Sequence, residues 1–145
     1  MFRRLRRSES KNADVTPQDA ILVVSDDLIT HNLVFETLSQ NHYQVHATSS
    51  ATQALELLKR IDTLALMIGD FAYPEVDGVD FLKRARTLLG KSTFPPVLFL
   101  VDAKDDETAA RTVGAQELLS KPIDPTELLA RVSKLIASRK AVSVN

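Results

Sequence analysis

The sequence has no cysteine. Disulfides, zinc–thiolate centres and thiol catalysis are therefore excluded, and the absence fits a cytoplasmic protein. Glycine is scarce, and no glycine-rich turn follows the first apolar run. That argues against a dinucleotide or P-loop nucleotide site. No apolar run approaches the ~20 residues that span a bilayer. The basic start, Met1–Arg7, is followed by no apolar core segment, so it does not read as a secretory signal. Internal repeats and low-complexity tracts are also absent.

What remains is a chain of 145 residues, the size of one ordinary domain with one core. Its charge is uneven. Arg3, Arg4, Arg6, Arg7 and Lys11 against Glu9 give residues 1–11 a net of +4, so with an overall −1 the rest carries −5. An acidic body does not suggest a nucleic-acid binder. Residues 1–19 are polar, charged and without apolar period, and are expected to form a loosely attached basic arm. Phe2 and Leu5 among the arginines could meet an anionic membrane or a partner, but the segment is too short and too sparsely apolar for firm anchoring. A solvated tail is the simpler reading.

From Ala20 onward, apolar runs alternate with helical periodicity. Ala20–Val24 (AILVV), Leu64–Ile68 (LALMI) and Val97–Val101 (VLFLV) read as strands buried on both faces. Tyr43–Ala47 and Glu117–Ser120 read as shorter strands. Helices are expected over Thr30–Gln40, Ala51–Ile61, Val79–Leu89, Asp105–Val113 and from Pro125 to about Ser138, with a fraying tail behind. Ser50-x-x-Gln53 is a capping-box pattern and Asp124-Pro125-x-Glu127 a strong helix start. Gly114 is a plausible helix stop. Five βα units imply an α/β fold, a parallel sheet with helices on both faces. The domain is placed at residues 20–139, with 140–145 as tail.

Three strands end in charge: the first at Asp26 and Asp27, the third at Asp70, the fifth at Lys121. In a doubly wound sheet of order 2-1-3-4-5, the first and third strands are neighbours, and ligands bind at the C-terminal edge there. Carboxylates converging at that edge repel one another and call for a cation. Oxygen ligands with room for water suit Mg²⁺. A lysine at the same edge can neutralise a further anion such as a phosphoryl group. The set is therefore suited to holding a phosphoryl group on an Asp nucleophile. Taken singly, Asp70 could be a loop cap and Lys121 a solvated lysine. Their convergence favours chemistry.

The chain resembles the response-regulator receiver domains of two-component signalling. The resemblance covers about Asp19 to Arg139. It is carried by Ile21–Asp27 (ILVVSDD), the D-x-x-x-P-x-x-D-G block from Asp70 to Gly78, Pro96–Leu100 (PVLFL), Gly114-Ala115 and Lys121-Pro122. It implies a flavodoxin-like (βα)5 fold with Asp70 as phosphoacceptor, Asp26 as the main Mg²⁺-binding acid and Lys121 as the phosphoryl contact. It also implies a third protein ligand to Mg²⁺, the backbone carbonyl of Ala72. The donor would be a histidine kinase or phosphotransfer protein. Output would pass to a protein partner through the face of the fourth helix, fifth strand and fifth helix. Such a domain is not an enzyme beyond transfer onto its own aspartate.

Three positions depart from that pattern. Ser25 stands where the acidic pair usually begins, leaving at most a weak, water-mediated metal contact and weakened Mg²⁺ binding. Asp27 is acidic but one residue later, and strand alternation points it away from Asp26. Val101 stands where a Ser or Thr hydroxyl usually ends the fourth strand, and Leu118 where Tyr or Phe usually rotates. An atypical receiver is expected, with phosphorylation through Asp26, Asp70 and Lys121 but altered output. The alternative is a pseudo-receiver that keeps the fold as a phosphorylation-independent interaction module. A flavin or nucleotide enzyme on the same fold is a weaker third reading. The sequence fits either a stand-alone regulator or the receiver part of a longer chain. His31, His42 and His46 lack metal or triad spacing, and Phe71 and Tyr73 flank the Asp70 loop either as packing or as a shield.

Overall fold

The computed structural model describes residues 20–144 apart from positions 62, 75, 91–93, 103, 104 and 106. The basic arm, residues 1–19, lies outside the described residues. Ten elements alternate: β1 (Ala20–Val24), α1 (Leu28–Gln40), β2 (Gln44–Thr48), α2 (Ala51–Leu58), β3 (Leu66–Asp70), α3 (Gly78–Leu89), β4 (Val97–Val101), α4 (Glu107–Thr112), β5 (Glu117–Ser120) and α5 (Pro125–Val144). All strands pair in parallel, in the order β2-β1-β3-β4-β5. This is the expected doubly wound, flavodoxin-like arrangement.

Every residue of β1, β3 and β4 is buried, as continuous apolar runs require of strands covered on both faces. Successive residues then feed opposite layers. Leu22 and Val24 pack with Leu58 of α2, Phe81 and Leu82 of α3 and Ala110 of α4. Ile21 and Val23 pack with Val34 and Leu38 of α1 and Leu128 and Val132 of α5. Fully burying one such side chain contributes roughly 1.5–3 kcal/mol, so these two layers hold the sheet edge in place.

Local chemistry sets the helix ends. Asp27, Ser50, Asp77 and Asp124 each accept a hydrogen bond from a backbone N–H in the first turn of the helix that follows. α1 therefore starts at Leu28, two residues before the expected Thr30, because Asp27 is its cap. α2 ends at Leu58, short of Ile61. Lys59 and Arg60 donate to Glu56 and Leu57 three residues back, which tightens and stops the helix. Gly114 does stop α4: its φ of +107° and the Ala115 N–H on the Ala110 carbonyl close the end. α5 continues to Val144, beyond the expected Ser138. Among the described residues, no helix is long and apolar enough to cross a membrane.

Candidate functional site

β3 carries Asp70 as its last residue, and the carboxylate is almost wholly buried, at 2% exposed. The register sets Val24 beside Gly69, so β1 runs out level with the end of β3. The Asp26 N–H then donates to Asp70 Oδ2 at 3.1 Å. From β5, Lys121 places Nζ 2.9 Å from Asp70 Oδ1. That contact is an ion pair whose angles fall outside hydrogen-bond geometry, so Oδ1 is a buried oxygen with a cation beside it and no hydrogen bond. Three strands thus bring Asp26, Asp70 and Lys121 together, as their positions at strand ends led one to expect.

Burial raises the Asp70 carboxyl above the ordinary value, against the opposing pull of Lys121, the Ser25 hydroxyl and the Asp26 N–H. Burial pushes Lys121 down, but Asp70, Asp102 and Asp27 outweigh it and leave the ammonium raised. Lys121 is therefore firmly cationic at neutral pH, and its charge keeps the buried Asp70 carboxylate tenable.

The second acid of the Asp26-Asp27 pair turns elsewhere. Asp27 caps α1, accepting from Ile29 N–H at 3.2 Å and from the Thr30 hydroxyl at 2.6 Å. It also lies 3.7 Å from Lys121 Nζ. The Thr30 hydroxyl chiefly, with help from Lys121, lowers its pKa. Asp27 stands behind Lys121, beside a cavity of about 330 Å³ that Asp102 also lines. The Asp26 side chain is exposed at the rim. Ser25 is fully buried, with its hydroxyl 3.4 Å from the Asp27 carbonyl.

On the other flank the site is apolar. Val101 is buried, and its carbonyl accepts the Lys121 N–H at 2.9 Å. The pairing of Val101 with Ser120 leaves Asp102 outside the strand, exposed, its N–H on Asp105 Oδ2. Leu118 is buried in the layer that contains Phe99 and Val101. Ala72 is exposed on the loop and forms an isolated bridge with Asp77.

Phe71 and Tyr73 are both packing residues. Phe71 meets Phe99 edge-on at 5.2 Å. Tyr73 lies against Phe81, and its hydroxyl donates to the Val24 carbonyl at 3.2 Å. The three histidines stand apart on α1, the following turn and β2. Two contributors escaped the sequence reading. The sequence reads Thr30 as a helix start, whereas Asp27-x-x-Thr30 is the cap pattern, the Thr30 hydroxyl donating to Asp27. The tie from Tyr73 to Val24 spans 49 positions and leaves no local signal.

Among the described residues, no three His, Asp or Glu side chains gather as a metal cluster. The available donors are the Asp26 and Asp70 carboxylates and a loop carbonyl. Mg²⁺ takes one or two carboxylates and keeps several waters, so this hard-oxygen set fits it, with less charge than three acids would supply. The buried Asp70 Oδ1, without a hydrogen bond, is consistent with that fit.

Comparison with known proteins agrees with this geometry. A family model described as response regulator receiver domain matches residues 21–133. An uncharacterised protein of Leptolyngbya boryana is 36% identical over 115 residues, covering 79% of this chain and 87% of its own. A two-component response regulator of Oryza sativa is 27% identical over 123 residues, covering 83% and 92%. Among solved structures, the chemotaxis protein CheY4 of Vibrio cholerae is 25% identical with a TM-score of 0.72, covering 81% of this chain and 98% of that one. A response regulator receiver domain protein from Clostridium thermocellum superimposes with a TM-score of 0.75 at 23% identity, covering 86% and 98%, a likeness of fold. The chain belongs to the response regulator receiver domain family.

Proposed function

We propose that this receiver accepts a phosphoryl group on Asp70 and signals by protein–protein contact. The observation that carries the reading is the buried Asp70 carboxylate, held between Lys121 Nζ at 2.9 Å and the Asp26 N–H at 3.1 Å. Receiver domains interact with histidine kinases or phosphotransfer proteins and with downstream partners, and are generally signalling domains rather than enzymes. Here a carboxylate oxygen of Asp70 attacks the phosphorus, a P–O bond forms, and the bond to the donor's leaving group breaks with its electron pair. Lys121 neutralises charge on the phosphoryl oxygens without giving up its proton. Asp26, Asp70 and the Ala72 carbonyl would hold Mg²⁺, which when bound shields the approaching phosphate from the carboxylates. Residues 20–139 form the functional unit, the output face is α4–β5–α5, and the setting is cytoplasmic.

A second reading has its own observation. Val101 and Leu118 are buried apolar residues at the two positions where the sequence departs from the usual switch. A domain without that hydroxyl and ring has no obvious differential contact between its two states. A phosphorylation-independent interaction module is then the alternative. A small phosphodonor with Mg²⁺, followed by intact mass, separates them. A gain of one phosphoryl group that disappears in Asp70→Asn supports the phosphoacceptor. An unmodified chain that also fails to bind Mg²⁺ supports the interaction module.

A further inference from the structure

Lys121 faces more than one carboxylate. Its Nζ lies 2.9 Å from Asp70 Oδ1 and 3.7 Å from Asp27 Oδ2. At such distances opposite charges near a protein surface still attract appreciably. The Lys121 side chain is well covered, at 12% exposed, while Asp27 is partly open at 42%. The Asp27 carboxylate is not free to swing away. Its Oδ1 accepts the Ile29 N–H at 3.2 Å and its Oδ2 accepts the Thr30 hydroxyl at 2.6 Å. Thr30 is itself buried, so that hydroxyl is a well-placed donor. The oxygen nearest Lys121 is therefore the one that Thr30 holds. The first turn of α1 thus sets an anchored anion beside the lysine that follows β5. Asp102 lines the same cavity as Asp27 and Lys121, so a further carboxylate borders the space beside the ammonium.

Capping α1 does not require that charge. Asn and Ser cap a helix about as well as Asp and are neutral. The charge acts instead on Lys121. A phosphoryl group forming on Asp70 brings negative oxygens of its own, and the ammonium has to serve them. Its attraction is then divided between those oxygens and Asp27. We propose that Asp27 is a positioning residue for phosphoryl transfer, an anchored counter-ion that holds Lys121 back from the phosphoryl group and so slows the transfer. The inference rests on the phosphoacceptor reading above. The covalent step is unchanged by it. One Asp70 oxygen forms the P–O bond, and the donor's leaving group departs with the electron pair of the bond that breaks. Asp27 gives and takes no proton. Its effect is Coulombic, acts through Lys121, and is partly screened because Asp27 is open to water.

The test compares phosphorylation rates of the native chain, Asp27→Asn and Asp27→Glu with acetyl phosphate, read by intact mass, at Mg²⁺ saturating for each chain and at low and high salt. Asp27→Asn keeps the cap and removes the charge, whereas Asp27→Glu keeps the charge and weakens the cap. Asp27→Asn should be labelled faster by about two- to fivefold, the worth of a partly exposed ion pair. Asp27→Glu should stay closer to the native rate. The gain in Asp27→Asn should shrink at high salt, where exposed charges are screened. Asp27→Asn at or below the native rate overturns the inference alone. So do equal gains in both variants, which would trace the rate to the cap, and a gain that high salt leaves untouched. A native chain and an Asp27→Asn chain that both take no phosphoryl group overturn the phosphoacceptor reading, and the inference with it. Circular dichroism of each variant confirms that its rate belongs to a folded chain.

Discussion

The Tyr73 hydroxyl donates to the Val24 carbonyl at 3.2 Å and so ties the loop after β3 to the last residue of β1. Gly69 makes room for it: a Cβ there would sit 2.5 Å from the Tyr73 oxygen and 3.4 Å from the Val24 carbonyl. Tyr73→Phe removes a buried hydrogen bond to that carbonyl, a loss of about 0.5–1.5 kcal/mol. Gly69→Ala should cost at least as much, because the buried ring has little space to retreat. Urea unfolding of both variants checks this, with an unchanged slope and a lower midpoint expected for each.

Lys121 sustains a buried charge. Replacing it by Met strands the Asp70 carboxylate, and breaking such a pair destabilises by about 3–5 kcal/mol at neutral pH. The pH dependence has a definite sign. Asp70 is already raised above 3.8 in the folded chain, and losing the cation raises it further. Ionising it then costs folding energy, so stability falls as pH rises from about 3.8 through the folded value. The penalty of Lys121→Met should be full at pH 7 and largely gone in acid, where Asp70 is protonated. Equilibrium unfolding across pH reads it directly, and a pH-independent penalty would mean that lost packing dominates.

Thr30→Val tests the cap of α1. The Thr30 hydroxyl is the largest cause that lowers the Asp27 carboxyl below 3.8. A group lowered in this way contributes stability above its unfolded value and loses it as pH falls through its folded value. Removing the hydroxyl should move the Asp27 titration up toward 3.8, as followed by NMR. Asp27 is partly exposed, so the stability change should be no more than about 1 kcal/mol near pH 7 and should fade as pH falls from 3.8 through the lowered folded value.

Ser25→Asp restores a carboxylate beside Asp26 and Asp70. Without metal it buries another negative charge and should lower the melting temperature. With Mg²⁺ the added oxygen ligand should tighten binding by about tenfold, the equivalent of 1.4 kcal/mol, and raise the melting temperature more than in the native chain. Titration calorimetry and thermal melts with and without Mg²⁺ measure both arms. Equal Mg²⁺ affinity in the two chains would show that position 25 does not reach the metal.

The sequence by itself determined the α/β class, which follows from local periodicity visible along the chain, and its resemblance to receiver domains implied the flavodoxin-like strand order. Parallel strands place their C-termini on one edge, so that order brings Asp26, Asp70 and Lys121 together. Strand alternation also foretold that Asp27 turns from Asp26. Only the tertiary structure decided what each side chain does at that edge. It set Asp27 and Thr30 to cap α1, buried the Ser25 hydroxyl against the Asp27 carbonyl, and drew Tyr73 across to Val24. It also left Asp70 Oδ1 with a cation and no hydrogen bond. These relations join residues on different strands and helices, and their distances follow from how two core layers pack, a quantity no short stretch of sequence contains.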